Sequence, residues 1–194
     1  MNRVFEAALE VQAVCRRRKW RFCFIGGVAV QRWGEPRFTR DVDLTLLTGF
    51  GEEKAFIHAL FEHFAARISD AEKLALSRRV LLIRSSQGVE IDVGLGGLPY
   101  EERVIKRATA FDIGSTKTLT TCSAEDLVIL KTFAGRVRDW ADIAEIAARQ
   151  SGKLDTRLIH RELKPLLELK EDLEAGERLR KLLSKRLTPA RRAR

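Results

Sequence analysis

The stretch Arg40-Asp-Val-Asp-Leu44, together with the earlier Phe24-Ile-Gly-Gly-Val28, decides the fold of this chain. Side chains at positions i and i+2 of a β-strand point to the same face, so Asp41 and Asp43 project together while their neighbours point into the core. Two carboxylates held side by side repel each other unless a cation lies between them. A strand that presents this pair near a glycine turn predicts a site for Mg²⁺ and phosphate.

The glycine pair has its own chemical meaning. Gly26 and Gly27 end the apolar run 22–25 and precede a short helical pattern over 28–33. A strand-to-helix turn presents backbone N–H groups and a helix N-terminus to phosphate oxygens, and glycine allows close backbone approach. A Gly-Gly pair alone indicates only a turn. Here its weight comes from the order of strand, Gly-Gly, short helix and Asp-x-Asp strand.

A third candidate carboxylate is Asp92, which stands between Ile91 and Val93 on a later strand. If that strand lies beside the one with Asp41 and Asp43, the three acids converge. Such a triad can hold two Mg²⁺ ions about 3.5–4 Å apart around a transferring phosphoryl group. Taken alone, Asp92 is equally well explained as an acid at a strand end or turn.

The rest of the chain predicts a mixed sheet followed by helices. The helical patterns cover 3–17, 28–33, 52–66, 98–108, 138–150, 156–169 and 174–187, and N-cap and first-turn acid signals at 123–126 start a further helix through 127–130. The strand patterns cover 22–25, 41–47, 80–83, 89–93 and 117–120. The strands at 80–83 and 89–93 form an antiparallel hairpin around the turn 85–88. We therefore predict an α+β fold, with a mixed β-sheet flanked by helices over 1–122. Residues 123–194 form a C-terminal helical cap with a basic tail.

Composition narrows the partners and the compartment. The 194 residues are 45% hydrophobic and 32% charged, which is typical of globular proteins. A net charge of +9 favours a polyanionic partner, although charge alone does not separate RNA from nucleotides or an acidic protein. The three cysteines lack metal-ligand spacing. The chain shows neither a membrane-spanning run nor a signal-peptide core, so we expect a cytoplasmic location.

The order of glycines and acids resembles the DNA polymerase beta-like nucleotidyltransferase superfamily, whose pattern is Gly-Gly or Gly-Ser, then acid-x-acid and a distant third acid. Within it, the chain is most similar to the AbiEii-type group, which includes toxins of type IV toxin–antitoxin systems. The segments that carry this likeness are Ile25-Gly-Gly-Val-Ala29, Arg37-Phe-Thr-Arg-Asp-Val-Asp-Leu44 and Asp126-Leu-Val-Ile-Leu-Lys-Thr-Phe-Ala-Gly-Arg-Val-Arg-Asp-Trp-Ala-Asp-Ile143. They span residues 25–143, and residues 1–122 would be the catalytic domain.

The resemblance implies a role for each matching acid and glycine. Asp41 and Asp43 would ligate two Mg²⁺ ions, for which Mn²⁺ substitutes. Asp92 would complete the catalytic metal site and help activate the acceptor hydroxyl. Gly26 and Gly27 would cradle the β- and γ-phosphates of an NTP. Where many members of the superfamily have a serine in the second glycine position, Gly27 has no hydroxyl to offer.

Further residues match outside the metal site. Lys131 would neutralise the triphosphate, and Arg37 would contact phosphate while Thr39 caps or braces its loop. Asp139 and Asp142 would position Lys131 or the nucleotide. The alternatives are a solvated helix lysine at 131, and acids that only pair with Arg136, Arg138 or Lys131.

The predicted function is Mg²⁺-dependent transfer of NMP from an NTP, such as ATP, to an acceptor hydroxyl. The charge favours an RNA acceptor such as a tRNA 3′ end, while a protein side chain or a small molecule such as an antibiotic remains open. A toxin silenced by an antitoxin protein is compatible with this reading. The alternative from another class is a non-catalytic protein of the same fold that binds nucleotide, RNA or a partner protein.

Overall fold

The computed structural model describes residues 2–187, and the side chains up to residue 184. Along this part of the chain, helices and strands follow one another in mixed order. The elements are α1 (Arg3–Arg17), β1 (Phe22–Phe24), α2 (Gly26–Trp33), β2 (Asp41–Leu47), α3 (Glu53–Phe61), β3 (Ala65–Ala66), α4 (Ala71–Arg78), β4 (Val80–Arg84), β5 (Glu90–Gly96), α5 (Pro99–Arg107), β6 (Thr109–Asp112), β7 (Thr118–Thr121), α6 (Ala124–Ala134), α7 (Val137–Arg149), α8 (Thr156–Lys170) and α9 (Leu173–Leu187).

The strands form one mixed sheet in the order β3-β4-β5-β2-β1-β7-β6. β2 runs parallel to β5 and β1 runs parallel to β7, whereas the other neighbouring pairs are antiparallel. The sheet and its helices confirm the predicted α+β class. The predicted hairpin is present as β4 and β5, and β5 extends to Gly96 along its parallel partner β2.

Two compact units can be distinguished. The first consists of the residues up to Ala29 together with Phe38–Ser123, and it contains the whole sheet. Its core lies between the apolar face of α1 and the buried sides of the central strands, where alternate residues are inaccessible to solvent. Members of this core include Val4, Ala8, Val11, Val42, Leu44, Leu81, Ile83, Ile91 and Val93.

The second unit consists of Val30–Arg37 and the residues from Ala124 onward. In it α6 packs against α7, α8 and α9 through buried apolar side chains. The segment Val30–Arg37 joins this unit because the Arg149 guanidinium donates to the Gly34 carbonyl and Gln150 Nε2 donates to Trp33 O at 3.1 Å. The predicted domain division at residue 122 stays a prediction, since compactness does not show that either part folds independently.

One predicted element is wrong. The helix expected over 52–66 ends at Phe61, and Ala65–Ala66 instead forms β3, an edge strand paired with β4. The apolar spacing continues to Phe64, which is buried, but the backbone there turns to join the sheet. Tertiary pairing therefore overrides the local periodicity. The sequence patterns also missed α4 and β6.

The cysteines, the helices and the basic tail complete the comparison with the sequence. All three cysteines are buried and none of them forms a disulfide. Burial raises the pKa of the Cys15 thiol to about 12, so this residue behaves as a small hydrophobe. None of the helices in residues 2–187 combines the length and the apolar character that crossing a bilayer requires. The basic tail predicted around Arg191 and Arg192 lies outside the described residues.

Candidate active site

The first two candidate carboxylates stand at the start of β2. Asp41 and Asp43 are each partly exposed, while Val42 and Leu44 between and after them are fully buried. This alternation places both carboxylates on the open face of the sheet, as the i and i+2 spacing predicts. Thr39, which is buried, donates its hydroxyl hydrogen to Asp41 Oδ1 at 3.0 Å. The contact fixes the first carboxylate from the preceding loop.

Asp92 lies beside this pair because β5 runs parallel to β2. In the strand register, Asp92 stands opposite Asp43 and Glu90 stands opposite Asp41. Burial raises the pKa of Asp92 above its ordinary value, the Asp41 and Glu90 charges add to the rise, and Arg67 opposes it. Asp41 is thus near enough for its charge to act on Asp92. The sequence made convergence of the three acids conditional on the strand of Asp92 lying beside that of Asp41 and Asp43, and the register meets this condition.

The glycine turn packs directly against the β2 acids. α2 begins at Gly26, whose φ is +53°, and Ile25 N donates to Asp43 O at 3.0 Å. A Cβ on Gly26 would overlap the Asp43 carboxylate, and a Cβ on Gly27 would overlap the Thr39 hydroxyl. Both positions therefore require glycine for space, and Gly26 also for its backbone conformation.

Replacing Gly26 by alanine is expected to destabilise the fold more than the same change at Gly88. Both glycines have positive φ, so each variant carries left-handed strain of about 1–2 kcal/mol. Only at Gly26 does the new methyl group also meet Asp43, including its Cβ at 2.8 Å, so rotation of the carboxylate alone does not relieve the overlap. Urea unfolding of both variants measures the difference. Equal losses would contradict the close packing at Gly26.

Arg67 is a member of the site that the sequence did not reveal. It follows β3, and its Nη1 lies 2.7 Å from Asp92 Oδ1 and 3.1 Å from Glu90 Oε2. Its backbone N–H donates to Leu82 O, so the sheet edge carries its side chain towards β5. Glu90 was equally overlooked, although its place two residues before Asp92 puts it on the same face.

The chemistry of the three carboxylates suits a divalent cation. Carboxylate oxygens are the hard ligands that Mg²⁺ and Mn²⁺ prefer, and Asp41, Asp43 and Asp92 share one face of neighbouring strands. In the described part of the chain, no group of three or more His, Cys, Asp or Glu residues is placed to hold a metal ion as it stands. At Asp92 the counter-cation is Arg67. The donor set therefore fits such an ion by its chemistry, although the carboxylates are not arranged as a preformed cage.

A second charged cluster lies within the second unit, which contains the helices from α6 onward and is called the helical unit below. Lys131 Nζ contacts Asp142 Oδ2 at 2.5 Å and Asp139 Oδ1 at 3.1 Å, and all three side chains are at least nine-tenths buried. Arg37 adds a bidentate pair, with Nε and Nη2 at 2.7 and 2.8 Å from the two oxygens of Asp142. Burial by itself raises the pKa of Asp142, but hydrogen bonds from Arg37 and Lys131 hold it below its ordinary value. Lys131 is thus not a solvated helix lysine.

The other residues predicted to act on the nucleotide also have contacts within the protein. Asp139 also accepts a hydrogen bond from the backbone N–H of Arg136 at 3.2 Å, which closes the start of α7. The pairing of Asp139 and Asp142 with Lys131 was one of the alternatives left open by the sequence. The roles of Arg37, Thr39, Lys131 and the two acids towards a nucleotide stay predictions.

Solved structures with a similar course of the chain belong to nucleotidyltransferases. The antibiotic-resistance factor ANT(2″)-Ia in solution gives a TM-score of 0.55 at 12% identity, covering 93% of this chain and 98% of that one. A nucleotidyltransferase-like antigenic protein from Paracoccidioides brasiliensis gives 0.52 at 15% identity, covering 91% of each chain. The lincosamide antibiotic adenylyltransferase LnuA with bound lincomycin gives 0.50 at 10% identity, covering 73% and 94%. At these identities the likeness shows the fold, which is that of the nucleotidyltransferase class.

The family follows from the sequence as a whole. The model of the family described as "Nucleotidyl transferase AbiEii toxin, Type IV TA system" matches residues 11–193, and the chain belongs to this family. It is a nucleotidyltransferase, and the resemblance inferred from the glycines and acids is confirmed. A search of curated proteins finds no match.

Proposed function

We propose that this enzyme transfers the NMP group of an NTP to an acceptor hydroxyl with the help of a divalent cation. The observation that carries the proposal is the register of β2 and β5, which sets Asp43 opposite Asp92, with the Gly26 turn packed on Asp43. Nucleotidyl transfer needs carboxylates and a phosphate-binding turn close together. The first unit brings carboxylates and a glycine turn close together, and this supports the proposal.

Each side chain has a part in the proposed reaction. Asp41 and Asp43 would hold the cation, and Gly26 and Gly27 would present backbone N–H groups to the β- and γ-phosphates. Asp92 would complete the cation site and accept the proton of the acceptor hydroxyl. The acceptor oxygen forms a bond to the α-phosphorus, and the bond to the β-phosphate oxygen breaks, so that pyrophosphate leaves.

A bound Mg²⁺ or Mn²⁺ ion would supply positive charge to the attacking and leaving oxygens. The chain's own groups hold the carboxylates ready: Thr39 fixes Asp41 through its hydroxyl, and Arg67 holds Oδ1 of Asp92. Arg37, Lys131, Asp139 and Asp142 keep their predicted roles towards the nucleotide as part of this proposal.

The acceptor we favour is RNA, such as the 3′ end of a tRNA. The net charge of +9 supports a polyanionic partner. One protein of similar fold is an adenylyltransferase with the antibiotic lincomycin bound. A cationic drug suits an acidic pocket, and this basic chain offers less attraction to it. A hydroxyl of a protein side chain is the third class of acceptor.

The biological setting we propose is that of a cytoplasmic toxin held in check by a cognate antitoxin protein. Its support is membership of a family described as toxins of type IV toxin–antitoxin systems. In such a setting, the harm that transfer to RNA does to the cell would increase with the amount of enzyme that is not bound to the antitoxin. Co-expression with the product of a neighbouring gene tests this setting separately from the chemistry.

The function is tested by following label from each of the four α-³²P-NTPs to purified total tRNA, to cell protein and to small molecules, with and without Mg²⁺. We expect label on RNA from one preferred nucleotide, and its loss when EDTA removes the cation. Label on protein or on small molecules would contradict the RNA acceptor but would still support transfer of NMP. Failure to bind any NTP in the presence of Mg²⁺ would favour the non-catalytic alternative.

A further inference from the structure

Two arginines extend the row of acids across the open face of the sheet. Residues paired across neighbouring strands have side chains on the same face, and one such row runs through Arg84, Glu90 and Asp41. The next row runs through Leu82, Asp92 and Asp43, and Arg67 reaches it from the edge. Basic groups therefore border the acids on the side of β4 and β3.

The two guanidinium groups share one carboxylate. Arg67 Nη1 lies 3.1 Å from Glu90 Oε2, and Arg84 Nη2 lies 4.0 Å from Glu90 Oε1. The side chains of Glu90 and Arg84 are half exposed, at 50% and 48%. Within the described residues, the Nε and Nη2 groups of Arg67 donate to no protein acceptor. The two arginines thus lie on either side of the half-exposed Glu90 carboxylate, and Arg67 has further N–H groups that a second anion could accept from.

The strand order separates this basic pair from the predicted phosphate cradle. Gly26 and Gly27 follow β1, on one side of β2, whereas Arg84 and Arg67 belong to β4 and to the end of β3, beyond β5. The Asp41, Asp43 and Asp92 carboxylates lie between the two sides. A nucleotide whose phosphates meet the glycine turn leaves the arginine side open to the second substrate.

We propose that Arg67 and Arg84 form an anion subsite that binds a phosphate group of the acceptor next to Asp92. This inference rests on the proposed function and makes it more specific, because it requires a phosphate-bearing acceptor and disfavours a cationic one. In the free enzyme the Glu90 carboxylate lies between the guanidiniums and competes with the phosphate. Guanidinium groups bind phosphate oxygens through paired, charge-assisted hydrogen bonds.

The subsite is tested by the binding of a fluorescein-labelled single-stranded RNA 12-mer, measured by anisotropy without NTP. Because Arg67 also holds Asp92, Arg84 and Glu90 are the positions to vary. We expect Arg84→Gln to weaken binding about tenfold. Glu90→Gln should strengthen it about threefold by removing the competing charge. The matched control is Arg78→Gln, an exposed arginine at the end of α4, which should change affinity less than about twofold through the general field.

The outcomes separate this inference from the proposed function. Equal weakening by Arg84→Gln and Arg78→Gln, or no gain from Glu90→Gln, would show only a general electrostatic effect and overturn the subsite. Binding of a fluorescent NTP with Mg²⁺ is measured on the same proteins and should be unchanged in Arg84→Gln. If Arg84→Gln weakens NTP rather than RNA, the anion is the triphosphate and the subsite is wrong. If the RNA results hold but no NTP binds, the subsite stands and the proposed chemistry fails.

Discussion

Asparagine in place of Asp43 is expected to reduce nucleotidyl transfer by at least about 1,000-fold, which corresponds to about 4 kcal/mol of lost transition-state stabilisation. The amide has nearly the same shape as the carboxylate but lacks the charge that holds a divalent cation. Asp43 is the acid against which Gly26 packs and which stands opposite Asp92, so its loss removes the centre of the proposed site. The quantity to measure is kcat/KM for the preferred NTP.

The fold of this variant should survive. Removing one of several neighbouring like charges relieves repulsion, so the melting temperature is expected to stay the same or to rise slightly. Asp70→Asn is the matched control, because Asp70 is an exposed acid of the same unit that caps no helix through its side chain. A variant Asp43→Asn with kcat/KM within tenfold of the wild type would refute the proposed mechanism. Loss of transfer in both variants would point to a non-specific cause.

Methionine in place of Lys131 is expected to lower the free energy of unfolding by about 3–5 kcal/mol. Lys131 is the shared cation of Asp139 and Asp142, and its side chain is only 7% exposed. Without it, Asp139 keeps a buried charge whose other ion-pair partner, Arg136, is largely exposed and 3.9 Å away. Breaking a buried ion pair from one side costs far more than the pair contributes, because a desolvated charge is left uncompensated.

The control for this prediction is Lys164→Met in the same unit. Lys164 is 75% exposed and lies 3.8 Å from Glu168, so its loss should change stability by less than about 0.5 kcal/mol. Chemical denaturation followed by circular dichroism gives both values. A loss below about 1 kcal/mol for Lys131→Met would contradict the prediction and show that the stability of the fold does not depend on this buried cation.

Particular helices and strands show which parts of the fold can be predicted from the sequence. β2 was predicted over the observed span because Asp-Val-Asp-Leu alternates polar and apolar residues, and this pattern depends only on local geometry. α1 was predicted for the same reason, with Val4, Ala8 and Val11 spaced along one face. The predicted helix over 52–66 failed beyond Phe61, because pairing of Ala65–Ala66 with a distant strand decided its end.

The residues of the site show the same difference between local patterns and long-range contacts. Asp41, Asp43 and the glycine pair were found because the chemistry and the spacing lie within one short stretch of chain. The role of Asp92 was predicted only conditionally, because it depended on whether the strand that carries Asp92 lies beside β2. Arg67 was not predicted because no pattern near it in the sequence indicates that it contacts Asp92, 25 residues further along the chain.

The sequence by itself determined the class of fold, the family and the identity of the acids, because alternation, glycine turns and acid spacing act over a few residues. The tertiary structure decided which charges meet. The parallel pairing of β2 with β5 set Asp92 opposite Asp43, and the edge pairing of β3 brought Arg67 onto the same face. In the helical unit it buried Lys131 between two acids. Such contacts join residues far apart in the chain, and only the hydrogen bonding of the sheet and the packing of the helices select them.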